Sequence, residues 1–360
     1  MCRLLGYCTR GRASAASLLT EQGLREFTAL SAFHSDGWGM AWYRAGGPEV
    51  RTSMRRAADE PDYDQLAHRA LGDIGMVHLR WATPGLGLSR QNCHPFRYGR
   101  YTLAHNGAIH PQSKLGEMLP AEWERQLHGT TDSERYFLHL MWRLERRGGD
   151  MAAAIADTQA SIGSRYAVNS LNAILLSPDR MYAISWHDPA RIPEAELRRR
   201  GLASTPAEAA GYFHLAYRAT ADAVVVASSG WPQPGWTMLA NQSVLVVERA
   251  TLEMSEFSTG PAFSPALPAL SEPGDGTRPP AHRGGICTPE RAQSSRRRAT
   301  GSGAMPMWPR SLTAFRASAA MRGSVTWSAM SRRVGRSGTP LLRERLRSRC
   351  WQASTLEIAW

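Results

Sequence analysis

Lysine is almost absent from the chain: Lys114 is the only one among 43 basic residues. Such a bias reads as a GC-rich coding sequence rather than as selection for phosphate contacts, two causes that composition alone does not separate. Cysteine is sparse, with five residues at positions 2, 8, 93, 287 and 350 and no CxxC spacing. An odd count without paired spacing suggests neither a disulfide framework nor a zinc ribbon, so a reducing cytosol is the default compartment. No stretch approaches the roughly 18 consecutive apolar residues of a membrane helix. The opening MCRLLGYCTRGR has no apolar core after its charges, so neither a membrane-spanning nor a secreted chain is expected. No internal repeat of solenoid period is visible.

What is present fits a soluble globular protein: 360 residues, 42% hydrophobic and 21% charged, enough for about two domains. The formal net charge of +12 is unevenly spread. Beyond Gly260 lie 16 of the 43 basic and 5 of the 31 acidic residues, leaving 27 against 26 in the first part. The basic character therefore belongs to the tail, and the folded part is close to neutral. A high pI in a folded domain would have pointed to nucleic acid or a membrane surface; here it does not.

The composition changes near residue 260. Up to about Phe257, short apolar runs alternate with periodic segments, ending in SVLVVE (243–248). PAFSPALPALSEPGDGTRPP (261–280) follows, and its prolines sustain neither helix nor sheet ladders. RAQSSRRRATGSG and SRRVGRSGTP then mix Arg, Ser and Gly without apolar periodicity. The expected organisation is a domain over 1–258 and a Pro/Ser/Arg-rich, mostly disordered tail over 259–360. Within the tail, 312–321 and 341–351 have the pattern of helices with basic faces. The tail also reads as a frame-shifted extension, because out-of-frame GC-rich DNA yields Arg, Ala, Pro, Gly and Ser.

Within the first part, residues 4–7, 37–43, 74–80 and 101–105 read as short strands rich in aromatic and β-branched residues. Residues 171–177, 181–185, 223–228 and 243–248 supply further strands. Residues 15–30 form a helix candidate, and Thr131, Asp132 and Ser133 offer caps ahead of YFLHLMWRL (136–144). Runs of strands with helices between them predict an α+β layered domain.

Five segments have the residue types of a reactive site. Cys2 stands directly behind Met1; once Met1 is removed, it carries both a thiol and a free α-amine whose reference pKa near 8 suits proton transfer at neutral pH. Nucleophile and base then share one residue, although a cysteine near a start codon is usually an ordinary one. In HLRWATPG (78–85), Arg80 ends a strand, where a guanidinium can grip a carboxylate through two parallel hydrogen bonds; a structural ion pair, with Trp81 in the core, is the plainer reading. In LAHNGAI (103–109), Asn106-Gly107 is an ordinary turn dipeptide, yet an Asn amide beside a Gly N–H also makes an oxyanion hole. In TTDSE (130–134), Asp132 reads as a helix cap or as a carboxylate that holds an ammonium. HSDGWGMAWY (34–43) reads as scaffold, its glycines permitting close backbone approach.

Together these segments resemble the class II glutamine amidotransferase domain. The resemblance rests on MCRLLGY at the start, DGWG (36–39), RWAT (80–83), NCHPF (92–96), HNG (105–107) and TDSE (131–134) in that order, and covers residues 2 to about 250. It implies a four-layer αββα sandwich of the N-terminal-nucleophile hydrolase type. It also implies that Cys2 attacks a γ-glutamyl amide while its own α-amine shuttles the proton. By the same resemblance Asn106 and Gly107 form the oxyanion hole, and Arg80 binds the substrate α-carboxylate with Trp81 and Thr83 lining the same loop. Asp132 holds the α-ammonium. The implied reaction passes through a γ-glutamyl thioester, releases ammonia or an amine, and yields glutamate, with no metal or organic cofactor.

The sequence departs from better-known members at Pro84, where a His commonly follows the RWAT segment, and in having no synthase pattern after residue 250. It looks like a stand-alone member. MCRLLGY, DGWG and Thr83-Pro84-Gly85 look most like the bacterial branch that includes the ergothioneine-biosynthesis amidohydrolase, which cleaves a γ-glutamyl amide in a sulfur-containing histidine derivative. The expected partner is a small molecule, glutamine or a γ-glutamyl amide, with an ammonia-accepting synthase subunit as a further candidate. An alternative of another class is a nucleic-acid or membrane-surface protein acting through the Arg-rich tail. His94 is expected to support the loop near the site rather than bind metal, and Cys8 to pack.

Overall fold

The computed structural model describes residues 1–83 and 87–260. Pro84 and the whole of 261–360, with its candidate basic helices, lie outside the described residues.

The first strand, β1 (Arg3–Ala13), shows how the layers arise. Successive side chains on a strand point to opposite faces, and here both faces are apolar. Leu5 and Tyr7 pack with the helices α1 (Ala15–Ala29) and α2 (Pro61–Arg69). Leu4 and Cys8 point the other way, into a core shared with Ile174, Leu176, Met181 and Ala183. Gly6 lies on this inner face, where a Cβ would come within 2.8 Å of Ile174. A strand buried on both sides has one sheet neighbour and one helix layer, which is half of a four-layer arrangement.

The remaining strands fill that plan. In chain order they are β2 (Trp38–Arg44), β3 (Gly47–Ser53), β4 (Gly72–Leu79), β5 (Phe96–Tyr98), β6 (Tyr101–Asn106), β7 (Ile109–His110), β8 (Ala167–Val168), β9 (Asn172–Leu176), β10 (Arg180–Ser185), β11 (Leu215–Ala219), β12 (Ala223–Ser228), β13 (Thr237–Met238), β14 (Ser243–Glu248) and β15 (Met254–Ser258). One sheet has the order β13-β11-β12-β1-β4-β2-β3 and the other β15-β14-β10-β9-β6-β5, with β7 and β8 as a small separate pair. The neighbours pair antiparallel. The second sheet buries its outer face, including Leu103, Leu175 and Ile184, against the helices α4 (Asp132–Arg146) and α5 (Met151–Arg165). The result is the αββα sandwich that the family resemblance implied.

Local chemistry explains the helix that matters most for the site. Thr131 caps α4, its Oγ1 accepting from the Glu134 N–H at 3.1 Å. Asp132 and Glu134 lie in the first turn and Arg143 and Arg146 in the last, each matched to the sign of the helix dipole. Thr131 is thus the cap among the three candidates, and Asp132 is the first helical residue. Three short elements, α3 (Ala121–Glu124), α6 (Glu194–Arg199) and α7 (Pro206–Ala210), lie in connections. Among the described residues no helix is long and apolar enough to cross a membrane.

The buried histidines make the fold sensitive to acid. Burial holds His139 and His187 down to about 4, and His34, His78 and His94 well below the usual imidazole range. Above pH 6.5 folded and unfolded chains both carry neutral imidazole, so nothing is lost. As pH falls from 6.5 towards 4 the unfolded chain takes up protons that the folded one refuses, and stability drops by roughly 1.4 kcal/mol per pH unit for each such histidine. Denaturant titrations at pH 7.5, 6 and 5 are expected to show this loss beginning above the carboxylate range; a stability flat down to pH 5 would contradict it.

Candidate active site

The ends of four elements meet at one edge of the sandwich. Cys2 immediately precedes β1, Arg80 and Trp81 follow β4, Asn106 ends β6, and Asp132 begins α4. β1 and β4 are antiparallel with Arg3 opposite Leu79, so the start of one and the end of the other coincide. A small cavity there is lined by Cys2, Arg80, Thr83, Gly107 and Asp132 among others. Cys2, Arg80, Trp81, Thr83, Gly107 and Asp132 are therefore together at this edge, and Asn106 meets Cys2 directly.

Met1 is present, so the Cys2 nitrogen is a peptide nitrogen. Its N–H donates to Asn106 Oδ1 at 2.7 Å. That bond fixes which way the Asn106 amide points, because the oxygen faces Cys2 and the Nδ2 donors must face elsewhere. Nδ2 is buried and has no hydrogen-bond partner among the described residues, an uncommon and costly state for a buried donor. The Cys2 Sγ lies 3.6 Å from the Trp81 carbonyl oxygen. Gly107 is required sterically: a Cβ would stand 1.8 Å from the Ser170 carbonyl oxygen and 2.6 Å from His105 Nε2.

Arg80 and Asp132 bring opposite charges to the cavity. The Arg80 Nη1 donates to the Asp36 carbonyl at 3.3 Å, and the backbones of Arg80 and the Asp36-Gly37 turn exchange bonds of 2.8 and 3.0 Å. The Asp36 carboxylate accepts from the Ala82 N–H at 2.9 Å. DGWG thus acts as scaffold, clamping the loop that carries Arg80 and Trp81. Its glycines allow close approach, since Cβ atoms at Gly37 and Gly39 would meet the carbonyls of Ser53 at 2.4 Å and His94 at 1.9 Å. The Asp132 carboxylate is oriented by the N–H groups of Ile109 at 2.9 Å and Ser133 at 3.0 Å. Trp81 is split in role: its carbonyl faces Cys2, while its ring packs in a cluster with Met1, Leu197 and Phe213, with the Arg200 guanidinium 4.2 Å from its centre.

Other residues at the cavity had no catalytic or substrate-binding role assigned from the sequence. Asn92 lines the cavity and ties two loops together, donating to the Gly87 carbonyl at 2.8 Å and accepting from the Thr130 N–H at 2.9 Å. Thr131, Ser133 and His94 also line it. All four sit inside NCHPF and TDSE; the sequence offered Thr131 and Ser133 as helix caps and His94 as support for the loop near the site, while Asn92 was named only within its motif. The His94 and His78 rings lie 4.3 Å apart at a tilt of 35°, and burial pushes both well below the usual imidazole range. Cys8 packs between the sheets, where burial pushes its thiol pKa up. Among the described residues no group of three or more His, Cys, Asp and Glu is placed to hold a metal ion.

Comparison with known proteins gives the family of the chain. The model of the family "Glutamine amidotransferases class-II" matches residues 1–183. A Saccharomyces cerevisiae protein named as a probable glutamine amidotransferase, DUG3, is 31% identical over 127 residues, 32% of this chain and 35% of that one. YafJ of Escherichia coli is 29% identical over 164 residues, 42% of this chain and 60% of that one. These matches span about a third to three fifths of the relatives' length. Among solved structures, a glutamine aminotransferase class-II domain protein from Silicibacter pomeroyi superposes with a TM-score of 0.48 at 19% identity, covering 72% of this chain and 100% of that one. With the family model matching just over half of this chain, the chain belongs to the class II glutamine amidotransferases.

Proposed function

We propose that residues 1–258 form a catalytic domain that hydrolyses the γ-carboxamide of glutamine or of a γ-glutamyl conjugate, with Cys2 as nucleophile once Met1 is removed. The observation that carries this reading is the buried, unpartnered Asn106 Nδ2 beside Cys2. A donor held in that state is preorganised for an oxygen that becomes negative only during reaction, where such groups contribute most. Arg80 and Asp132, on the walls of the same cavity, match the α-carboxylate and α-ammonium of a glutamyl group.

The free α-amine of Cys2 takes the thiol proton, Sγ bonds to the amide carbon, and the oxyanion forms against Asn106 Nδ2 and the Gly107 N–H. Collapse breaks the C–N bond as the α-ammonium gives its proton to the departing nitrogen. Water then attacks the thioester, its proton passing through the α-amine to the thiolate, and glutamate leaves. A nucleophile that must remain a thiol suits a reducing compartment such as the cytosol.

Within this reading, a γ-glutamyl conjugate of the kind cleaved in ergothioneine biosynthesis is the alternative substrate, on the likeness of MCRLLGY, DGWG and Thr83-Pro84-Gly85 to that branch. A partner synthase that accepts ammonia is the alternative fate of the product, and would raise turnover when added.

Steady-state kinetics separate the two halves of the site. Asn106→Ala is expected to lower kcat by roughly 10^2 to 10^3. Asp132→Asn, nearly isosteric, is expected to raise KM and lower kcat/KM by about 10- to 100-fold, the worth of a hydrogen bond to a charged group. An Asn106→Ala enzyme with the kcat of the parent would remove the oxyanion assignment.

A further inference from the structure

Met1 itself describes a second subsite. Its side chain is buried among Trp81, Leu197, Ala203, Ala209, Tyr212 and Phe213, and its ammonium donates to the Trp81 carbonyl at 2.7 Å. Most of this seat is built by the segment between β10 and β11, which includes α6 and α7. The segment is fixed in place: the Tyr212 hydroxyl meets His34 Nε2 at 3.1 Å, and Arg200 covers the Trp81 ring while paired with Glu196. The seat is therefore apolar with the Trp81 carbonyl at its mouth, and that carbonyl also faces the Cys2 thiol.

The chemistry of proton return fixes what enters the seat when Met1 is gone. In the proposed mechanism, on which this inference rests, the leaving nitrogen takes its proton from the Cys2 α-ammonium and must come within hydrogen-bond reach of that nitrogen. The Met1 carbonyl carbon is bonded to the same nitrogen, about 1.33 Å away. A leaving group placed beside the Cys2 amine on this side occupies the ground that Met1 held. We propose that the Met1 seat is the leaving-amine subsite, and that the substrate class is a γ-glutamyl amide of a primary amine bearing a compact apolar chain about the size of a methionine side chain. The amide N–H of such a substrate replaces the Met1 ammonium as donor to the Trp81 carbonyl, and the chain fills the apolar walls.

The test is the kcat/KM of the full chain, its intact mass first shown to lack Met1. The substrates are glutamine, the γ-glutamyl methyl-, propyl- and butylamides, and γ-glutamylglycine. The expected series rises roughly fourfold per buried methylene, so that the butylamide exceeds glutamine by at least about tenfold, with γ-glutamylglycine below the butylamide. Ala209→Leu, which fills the seat, is expected to lower the butylamide-to-glutamine ratio about tenfold while a thermal melt reports whether it has folded; if it has not, the parent series decides alone. Labelling of Cys2 by a glutamine-mimicking diazoketone, combined with a flat or falling series or a preference for γ-glutamylglycine, overturns the leaving-amine subsite and leaves the amidohydrolase standing. No labelling and no hydrolysis of any member overturns both.

Discussion

Replacing Cys2 by alanine is expected to remove turnover, by at least about 10^3-fold, without unfolding the protein. Loss of a covalent nucleophile is among the largest single effects in enzyme kinetics, since no other group at the site replaces the bond it forms. The stability cost is small by comparison: among the described residues the thiol's polar contact is with the Trp81 carbonyl at 3.6 Å, and the backbone N–H that bonds Asn106 is kept in the variant. A folded but inactive Cys2→Ala chain, by circular dichroism and a glutamate-release assay, is the predicted pair of results. Retained activity would transfer the nucleophile's role elsewhere; Cys8, between the sheets, and Cys93, whose thiol pKa burial raises, are poor candidates to receive it.

Blocking the α-amine is expected to be nearly as damaging although every side chain stays in place. A chain carrying an uncleaved N-terminal extension keeps Cys2 in a peptide bond, and an amide nitrogen neither takes the thiol proton nor returns it to the leaving group. General acid–base catalysis contributes about 10^2 to 10^4, so a loss of at least a hundredfold follows. The extension also holds the Met1 seat shut, as Met1 itself does through its buried side chain and its bond to the Trp81 carbonyl. Proteolytic release of a native Cys2 terminus is expected to restore the activity. Comparable rates before and after release would show that the amine is not the base.

The site was more legible in the sequence than the fold around it. Cys2, RWAT, HNG and TDSE are short, and their residue types carry chemistry wherever the chain places them. Strands such as SVLVVE (β14) and AVVVAS (β12) are legible because continuous β-branched runs fit sheets buried on both faces. β3 was not, because GPEVRTS is an edge strand with a proline and half-exposed polar residues. α5 was not, because MAAAIADTQASIGSR is built of small residues with a weak apolar stripe and depends on packing against α4 and the sheet. The Met1 seat was wholly illegible: it joins residue 1 to residues 81, 197, 203, 209, 212 and 213, and no local pattern encodes a contact across two hundred residues. The split role of Trp81, carbonyl towards the thiol and ring towards Met1, belongs to the same class, since sequence spacing names a residue and not which of its groups faces the site.

The central claim is that Cys2 becomes an N-terminal nucleophile beside a pocket shaped for a glutamyl group. Its most direct test is the intact mass of the purified full chain before and after exposure to a glutamine-mimicking diazoketone, with Cys2→Ala treated in parallel. The account predicts a starting mass short by one methionine and a single adduct that is absent from Cys2→Ala. A starting mass that retains Met1, or an adduct that persists without the Cys2 thiol, would contradict it.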